Sequence, residues 1–314
     1  MTVIAVCNHK GGTGKTTSVI HLAAALGLSG FRTLVIDLDP QSFLTRMLGV
    51  EEPGDEKSSL MLFSHDVSLK DVAVHSLKSF DLLPSSSSLT KAMRKLNKPT
   101  DVLWAKESMQ DGADYDFVLF DTAAAVTVYS LNALVASQHV LVPVTPEYQP
   151  VLGAEQTFQT AELVRRRLNP NLSEAVFIFT QVDARKKSHR LYRGYMRGKY
   201  GALVLRSIIR TSTAVSEMHM DGTTAFDHEP YSRGSRDYAN ATDELLSIVQ
   251  PARTGAADPE PEHPDQEPSS GAEQGSDAAV SSGESGSDDD VRNGHMPMED
   301  VDAISQTVRE FGTR

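Results

Sequence analysis

Hydrophobic residues in the first 250 positions gather into short continuous runs rather than alternating with polar residues. Six runs have the length of a β-strand: 2–7, 33–39, 117–123, 139–144, 175–182 and 203–209. Continuous apolar runs are typical of strands that are covered on both faces, so they predict a mostly parallel sheet between two layers of helices. Helical stretches are predicted over 127–137 and 153–168, between strands, and over 237–249, after the last one. The pattern therefore indicates a doubly wound α/β domain over about residues 1–250.

The pattern changes after residue 250. Residues 251–298 are rich in Pro, Gly, Ser, Asp and Glu and have almost no large apolar side chains. Such a segment cannot bury enough surface to offset its ordering entropy, which predicts a disordered acidic linker. Four apolar residues of the last stretch, 299–314, fall roughly on one helical face: Val301, Ile304, Val308 and Phe311. This spacing predicts a short C-terminal helix, which either frays alone or orders on a partner.

Charge is distributed unevenly along the 314 residues, whose formal net charge is −12. Residues 251–314 hold 15 acidic and 4 basic residues, a net charge of −11, which leaves −1 for residues 1–250. Within 160–210, by contrast, 12 Lys and Arg stand against 3 acidic residues. A near-neutral domain with one basic segment favours contact with a polyanion. The acidic tail is either an inert solubiliser or a competitor for that basic segment.

Cysteine usage and the N-terminus indicate a reducing setting. The single cysteine, Cys7, excludes a disulfide framework or a thiolate metal cluster within one chain. The first residues, MTVIAVCN, lack the basic segment and long apolar run of a signal peptide. No run approaches the roughly 18 apolar residues of a membrane span. We therefore expect a cytoplasmic protein.

A glycine-rich loop and a helix start follow the first predicted strand, in NHKGGTGKTTSVI at residues 8–20. In this arrangement glycines let backbone N–H groups approach phosphates, and the helix N-terminus adds partial positive charge. The usual pattern G-x-x-x-x-G-K-[ST] would need a glycine where His9 stands. Lys15 and Thr16 match its end and predict contacts to β/γ-phosphates and to Mg²⁺, while Thr17 can donate to the α-phosphate.

Carboxylates stand at the ends of two further predicted strands, where ligands bind in a parallel sheet. Asp37 and Asp39 end the second run, and they point to the same side if the strand stays extended that far. They could instead be helix caps or turn formers. Asp121 ends the next apolar run and predicts a ligand that holds Mg²⁺ directly or through water.

KGGTGKTT, VIDLDPQ at 35–41 and VLFDT at 118–122 together resemble the ParA/Soj family of DNA-partition ATPases. These are P-loop NTPases of the deviant Walker A type, a group that includes MinD and the nitrogenase iron protein. In that group the early lysine, here Lys10, reaches across an ATP-bound dimer to the phosphates of the other subunit. A second cation near the γ-phosphate can stabilise charge on the transferring oxygens.

The resemblance implies a set of site residues. The catalytic residues it implies are Lys10, Lys15 and Asp39, and the Mg²⁺ residues are Thr16, Asp39 and Asp121. The phosphates would be bound by Lys10, Gly11, Gly12, Thr13, Gly14, Lys15, Thr16 and Thr17. SIIRTSTAVSEM at 207–218 resembles the segment beside the adenine in relatives, which implies base contacts by Ile209, Arg210 and Thr211.

The chain departs from the family pattern at two places. Relatives usually have Pro-Pro after the Asp-Thr or Asp-Cys of switch II, where this chain has Ala123-Ala124-Ala125. Without those prolines the backbone is freer and keeps its N–H donors. Ile209 also replaces a proline of the family's I-P-R segment.

The resemblance implies a cytoplasmic, nucleoid-associated Mg²⁺-ATPase for plasmid or chromosome partition. It would form an ATP-dependent homodimer, bind DNA non-specifically, and be stimulated by a ParB-like centromere-binding protein. Nine residues are the DNA-binding candidates: Arg185, Lys186, Lys187, Arg190, Arg193, Arg197, Lys199, Arg206 and Arg210. Two alternatives stay open, a MinD-like membrane-associated regulator and a nearly inactive ATP-gated binding module. The acidic flank of the C-terminal stretch disfavours membrane binding.

Overall fold

The computed structural model describes residues 1–64, 67–110, 114–217 and 222–250. The linker predicted over 251–298 and the helix predicted over 299–314 lie outside these described residues.

Eight strands in the described residues form one sheet. They are β1 (Thr2–Val6), β2 (Thr33–Asp37), β3 (His75–Ser76), β4 (Asp81–Leu83), β5 (Phe117–Asp121), β6 (His139–Val144), β7 (Val176–Val182) and β8 (Val204–Arg210). Their order across the sheet is β3-β4-β2-β5-β1-β6-β7-β8. Neighbouring strands are parallel throughout, apart from the antiparallel pair β3 and β4.

Ten α-helices lie within the described ranges. They are α1 (Lys15–Leu28), α2 (Phe43–Met47), α3 (Ser88–Ala92), α4 (Trp104–Ser108), α5 (Val128–Ala136), α6 (Tyr148–Arg167), α7 (Lys187–Tyr200), α8 (Thr213–Ser216), α9 (Ala225–His228) and α10 (Arg233–Val249). Short 3-10 turns lie at Asp55–Lys57, Ser59–Phe63, Leu69–Asp71, Pro99–Val102 and Gly201–Leu203. None of the helices described here has the length and apolar character needed to cross a bilayer.

Successive residues of each strand pack on opposite faces of the sheet. In β1, Val3 and Ala5 join the core under α5 and α6, whereas Ile4 and Val6 join the core under α1 and α10. Both sets are almost fully buried. This is why the sequence shows continuous apolar runs, and the predicted doubly wound α/β fold is confirmed.

The predicted elements are present, but several others were missed. All six predicted strands exist, with ends that differ by no more than two residues. The short strands β3 and β4 carry too few residues for a recognisable pattern. Helix α7 was also missed, because its sequence KSHRLYRGYMRGKY contains two glycines and buries only His189 and Met196.

The edge strand β8 is protected by carboxylates of α10. Glu244 accepts hydrogen bonds from the backbone N–H groups of Arg206 and Ser207, both at 2.7 Å. Asp237 accepts from the N–H of Arg210 at 2.9 Å. These contacts use amides that an exposed edge would offer to another strand.

Candidate functional site

The loop between β1 and α1 lies at the carboxyl edge of the sheet, where β5, β6 and β7 also end. Gly12 and Gly14 adopt φ of 76° and 77°, a left-handed conformation that favours glycine. Gly14 directly precedes α1, so the N-terminus of this helix, with its partial positive charge, lies at the end of the loop. The loop therefore has the conformation that the glycine spacing predicts.

Three carbonyl groups of the loop are held by side chains. Lys15 Nζ donates to the carbonyl of Lys10 at 3.2 Å. From the end of β7, Thr180 Oγ1 donates to the carbonyl of Thr13 and Gln181 Nε2 to that of Gly12, each at 2.8 Å. In the described chain the backbone N–H groups of residues 11–14 make no hydrogen bond to protein. Such a set of unpaired N–H groups can donate to the oxygens of a phosphate chain.

The two lysines of the loop have different environments. Lys15 is only 7% exposed, and burial lowers the pKa of its ammonium group, while the charge of Asp121 opposes that shift. Lys10 is exposed at the surface. Lys15 is thus placed to act within its own loop, whereas the Lys10 side chain is accessible at the protein surface.

The start of α1 is joined to the end of β5. Thr16 Oγ1 donates to Asp121 Oδ2 at 2.8 Å, while the buried Asp121 Oδ1 has no hydrogen-bond partner in the described residues. Burial, reinforced by the charge of Asp37, raises the pKa of the Asp121 carboxyl well above its usual range. A bare, buried carboxylate oxygen beside a threonine hydroxyl fits a magnesium site, since Mg²⁺ commonly uses one or two carboxylates with water and phosphate oxygens.

Asp37 and Asp39 have separate roles because β2 ends at Asp37. Asp37 Oδ2 accepts from the N–H and the hydroxyl of Thr45 in α2, and Oδ1 accepts from the N–H of Asp39. Asp37 is therefore a fully bonded structural residue, and burial raises its pKa to about 6. Asp39 is half-buried and close enough to affect the pKa of Lys15 and Asp121. Asp39 Oδ1 accepts from the N–H of Gln41 at 2.9 Å, a turn contact, and its Oδ2 has no hydrogen-bond partner in the described residues.

The alanine segment that replaces Pro-Pro follows β5 directly. Thr122 Oγ1 donates to the carbonyl of Val6 at 2.9 Å and anchors the start of the segment. A Cβ built on Gly11 would lie 3.9 Å from the Cβ of Ala124, so this segment lies beside the glycine loop. Ala124 and Ala125 are exposed. The switch II position is therefore adjacent to the loop.

The residues predicted to contact the base differ in their availability. Ile209 is 3% exposed and packs in the core with α1 and α10, so its side chain is not available to a base. The Arg210 guanidinium makes two hydrogen bonds to Asp237. Thr211 is exposed, and its N–H donates to the carbonyl of Val182. Base contact stays a prediction, and Thr211 is the residue of this segment best placed for it.

The basic candidates divide into ion-paired and unpaired residues. Four of them contact carboxylates: Arg185 with Asp183, Lys186 with Glu147, Lys199 with Glu155, and Arg210 with Asp237. Arg206 is 96% exposed and lies 3.9 Å from Glu244, a weak pair. Arg193 is half-buried with its guanidinium over the Phe179 ring. Within the described chain, Lys187, Arg190 and Arg197 are exposed on α7 and contact no carboxylate.

Several residues that shape the site were not predicted. Asn8 binds the carbonyl of Pro143 and accepts from the N–H of Lys10, and Thr157 accepts from the N–H of His9. A Cβ on Gly153 of α6 would lie 2.8 Å from both Asn8 Oδ1 and Lys10 Cβ. Apart from the local contact between Asn8 and Lys10, these contacts join positions more than 130 residues apart, and a single sequence carries no local signal for them.

Comparison with known proteins agrees with this arrangement. The model of a family described as an AAA domain matches residues 1–174. The chromosome-partitioning ATPase Soj of Thermus thermophilus is 34% identical over 249 residues, which cover 79% of this chain and 97% of that protein. The sporulation initiation inhibitor protein Soj of Bacillus subtilis is 28% identical over 250 residues, covering 78% of this chain and 98% of the relative.

A solved structure shares the fold over the same region. The crystal structure of cobyrinic acid a,c-diamide synthase from Mycobacterium smegmatis with bound ADP and magnesium superposes with a TM-score of 0.67. It is 29% identical and covers 79% of this chain and 95% of that one. The glycine loop with two lysines, the aspartates at the ends of β2 and β5, and these similarities lead to one conclusion. The chain belongs to the ParA/Soj family of P-loop partition ATPases.

Proposed function

We propose that the protein is a Mg²⁺-dependent ATPase that partitions plasmid or chromosomal DNA. ATP would stabilise a homodimer with nucleotide held between the subunits, the dimer would bind DNA non-specifically, and hydrolysis would release it. The observation that carries this proposal is the pair of lysines on one phosphate loop, Lys15 buried and Lys10 exposed.

The loop and its neighbours supply the groups that an ATP site requires. The free N–H groups of residues 11–14 and Lys15 would bind the phosphates, and Thr16 and Asp121 would hold Mg²⁺. Bound Mg²⁺ would neutralise charge on the phosphate oxygens. Asp39 would orient the attacking water, and an exposed Thr211 would approach the base.

The surface beside Lys10 suits a second copy of the chain. Tyr148 and Leu152 on α6 are 61% and 39% exposed, and Gly153 of the same helix lies against Lys10. Large exposed apolar side chains next to a functional lysine favour burial against another subunit. A lysine provided by that subunit would make hydrolysis depend on dimerisation.

Non-specific DNA binding is supported by α7. Lys187, Arg190 and Arg197 are three, seven and ten residues apart on the helix, which places them on one side. Gly194 lies between them, and a Cβ at that position would contact nothing within 4 Å. An open stripe of cations without carboxylate partners suits contact with a phosphate backbone, which gives sequence-independent and salt-sensitive affinity.

The cellular setting and the partner follow from the family. We propose a cytoplasmic, nucleoid-associated protein whose slow hydrolysis is stimulated by a ParB-like centromere-binding protein. Chromosome-partitioning names among the relatives support this setting.

DNA binding in the presence of ATP or ADP tests the proposal most directly. Wild type should bind non-specific DNA with ATP and much less with ADP, and it should sediment as a dimer only with ATP. Lys10→Ala should still bind ATP but lose ATP-dependent dimerisation and hydrolysis. Lys57→Ala, at an exposed lysine in a turn far along the chain, serves as the matched control.

Three results would contradict the proposal or its parts. Equal DNA affinity with ATP and ADP would contradict the proposal that nucleotide controls DNA binding. A Lys10→Ala protein that dimerises and hydrolyses like wild type would remove the role of that lysine. Complete absence of hydrolysis with DNA and a ParB-like partner would favour the ATP-gated binding module.

A further inference from the structure

Gln181 has an unusual backbone conformation for its residue type. Its φ is 52°, in the left-handed region, and in the described chain Ser42 is the one other non-glycine residue with a positive φ. A side chain makes this conformation unfavourable, and such residues tend to occur where the surrounding structure holds them for a functional reason. Gln181 stands near the end of β7, where the pairing with β8 is irregular between Phe179 and Val182.

This conformation accompanies a direct contact between β7 and the phosphate loop. Gln181 is exposed to solvent, yet its Nε2 donates to the carbonyl of Gly12 at 2.8 Å. The preceding residue, Thr180, is 1% exposed and donates to the carbonyl of Thr13 at the same distance. Two consecutive side chains of one strand end thus bind two consecutive carbonyls of the loop. In a regular strand, consecutive side chains point to opposite faces of the sheet. The left-handed φ of Gln181 therefore allows Thr180 and Gln181 both to reach the loop.

The consequence for the loop is orientation of its peptide groups. A peptide whose carbonyl oxygen is held on one side presents its N–H on the other side. The peptide groups that follow Gly12 and Thr13 contribute the N–H groups of Thr13 and Gly14. Neither of these amides has a protein partner in the described residues. Fixing the two carbonyls against β7 therefore keeps the two amides free for phosphate oxygens before the nucleotide arrives.

We propose that Gln181 is a positioning residue of the nucleotide site, which preorganises the phosphate loop through the carbonyl of Gly12. Thr180 makes the matching contact from a buried position, and Gln181 makes the contact that needs a strained backbone. This inference rests on the proposed ATP site. It adds that the ATP affinity of this chain depends on Gln181, which belongs neither to the phosphate loop, nor to the site aspartates, nor to the segment near the base.

Substitution by glycine separates a positioning role from a structural one. Gln181→Gly removes the side-chain donor but suits a left-handed φ, so it should keep or raise the melting temperature. The same variant should bind ATP about five-fold more weakly, the size expected for one neutral hydrogen bond. Stability and nucleotide affinity would then change in opposite directions, which loss of folding cannot produce.

A second variant tests the donor itself. Gln181→Glu keeps the size of the side chain but replaces the donating amide by a carboxylate, so it should weaken ATP binding more than Gln181→Gly. Gln110→Glu makes the same chemical change at the end of α4, before β5 begins, and should bind ATP like wild type. ATP affinity would be measured by calorimetry with Mg²⁺ present, and the melting temperature would be measured without nucleotide.

The outcomes distinguish this inference from the proposed function. If wild type binds no ATP, the ATP site itself is wrong. If wild type binds ATP and both Gln181 variants bind it with unchanged affinity, the positioning role of Gln181 is overturned. Equal loss of ATP affinity and of melting temperature in Gln181→Gly would also overturn it, because the residue would then act through folding alone.

Discussion

Thr16 and Asp121 are hydrogen-bonded over 2.8 Å, although they stand 105 residues apart in the chain. The contact joins the first turn of α1 to the end of β5 and leaves the second carboxylate oxygen of Asp121 buried without a partner. A buried, unpaired carboxylate oxygen is costly, and a cation bound beside it would offset that cost.

Asp121→Asn should therefore separate stability from metal binding. Neutralising a buried group should leave the free energy of unfolding within about 1 kcal/mol of wild type or raise it. Mg²⁺ affinity in the presence of ATP should fall by at least about 10-fold, because Mg²⁺ sites rely on one or two protein carboxylates. Calorimetric titration with Mg²⁺ and chemical denaturation would measure the two effects.

Asp37→Asn provides the contrasting case at an equally buried aspartate. Its carboxylate accepts three hydrogen bonds from Thr45 and Asp39, so the amide should lose at least one of them and cost about 1–3 kcal/mol of stability. A loss of stability at Asp121 that equals the loss at Asp37 would argue that both are merely structural.

Gly153 and Gly194 form a second matched pair, since both lie within helices. A Cβ at Gly153 would meet Asn8 Oδ1 and Lys10 Cβ at 2.8 Å, whereas a Cβ at Gly194 would meet nothing within 4 Å. Gly194→Ala should stabilise the protein by about 0.5–1 kcal/mol through helix propensity. Gly153→Ala should lower stability by about 1–3 kcal/mol and weaken ATP binding, because it displaces the loop. Denaturation and ATP titration would show whether the two alanines differ as expected.

His21 should make stability depend on pH. It is fully buried in α1, stacks on Tyr238 at 4.7 Å, and contacts the carbonyl of Thr17 and the N–H of Ala225. Burial lowers its pKa from 6.5 to about 4. Between these two pKa values His21 is protonated in the unfolded chain but neutral in the folded chain. The contribution of neutral, buried His21 to stability is therefore present above pH 6.5 and is lost as the pH falls toward 4.

The measurement compares wild type with His21→Gln over this pH range. Between pH 7.5 and 5, wild type should lose about 2 kcal/mol more than the variant, whatever their difference at neutral pH. His9, whose pKa burial also lowers to about 4, is present in both proteins and cancels. If the stability of the two proteins changed with pH in parallel, His21 would have the same pKa in the folded and unfolded states, contrary to the prediction.

Local sequence was sufficient to predict the phosphate loop. Its glycines need positive φ at Gly12 and Gly14, and Lys15 and Thr16 follow at fixed spacing on the first helical turn. The fold was also predictable, because strands buried on both faces need continuous apolar runs. Both signals are contained in windows of fewer than 20 residues.

The rest of the site depends on contacts between distant parts of the chain. Asp37 and Asp39 were predicted to point to the same side only if the strand extended to Asp39. Because β2 ends at Asp37, the two carboxylates have different environments. Thr180, Gln181 and Gly153 act on the loop only because the sheet order brings β7 and α6 beside β1. A count of charges over 160–210 likewise could not show which cations are neutralised by Glu147, just before α6, and by Glu155 within it.

The division between paired and unpaired cations on α7 gives a prediction for DNA binding. Arg190 and Arg197 are exposed and contact no carboxylate in the described residues, whereas Lys199 binds Glu155 at 2.7 Å. Arg190→Gln and Arg197→Gln should each weaken non-specific DNA binding with ATP and reduce the salt slope by about 1. The double variant Lys199→Gln/Glu155→Gln keeps the net charge and should leave the slope unchanged. Fluorescence anisotropy over a salt series would measure the slopes, and equal slopes for all these proteins would place the DNA surface elsewhere.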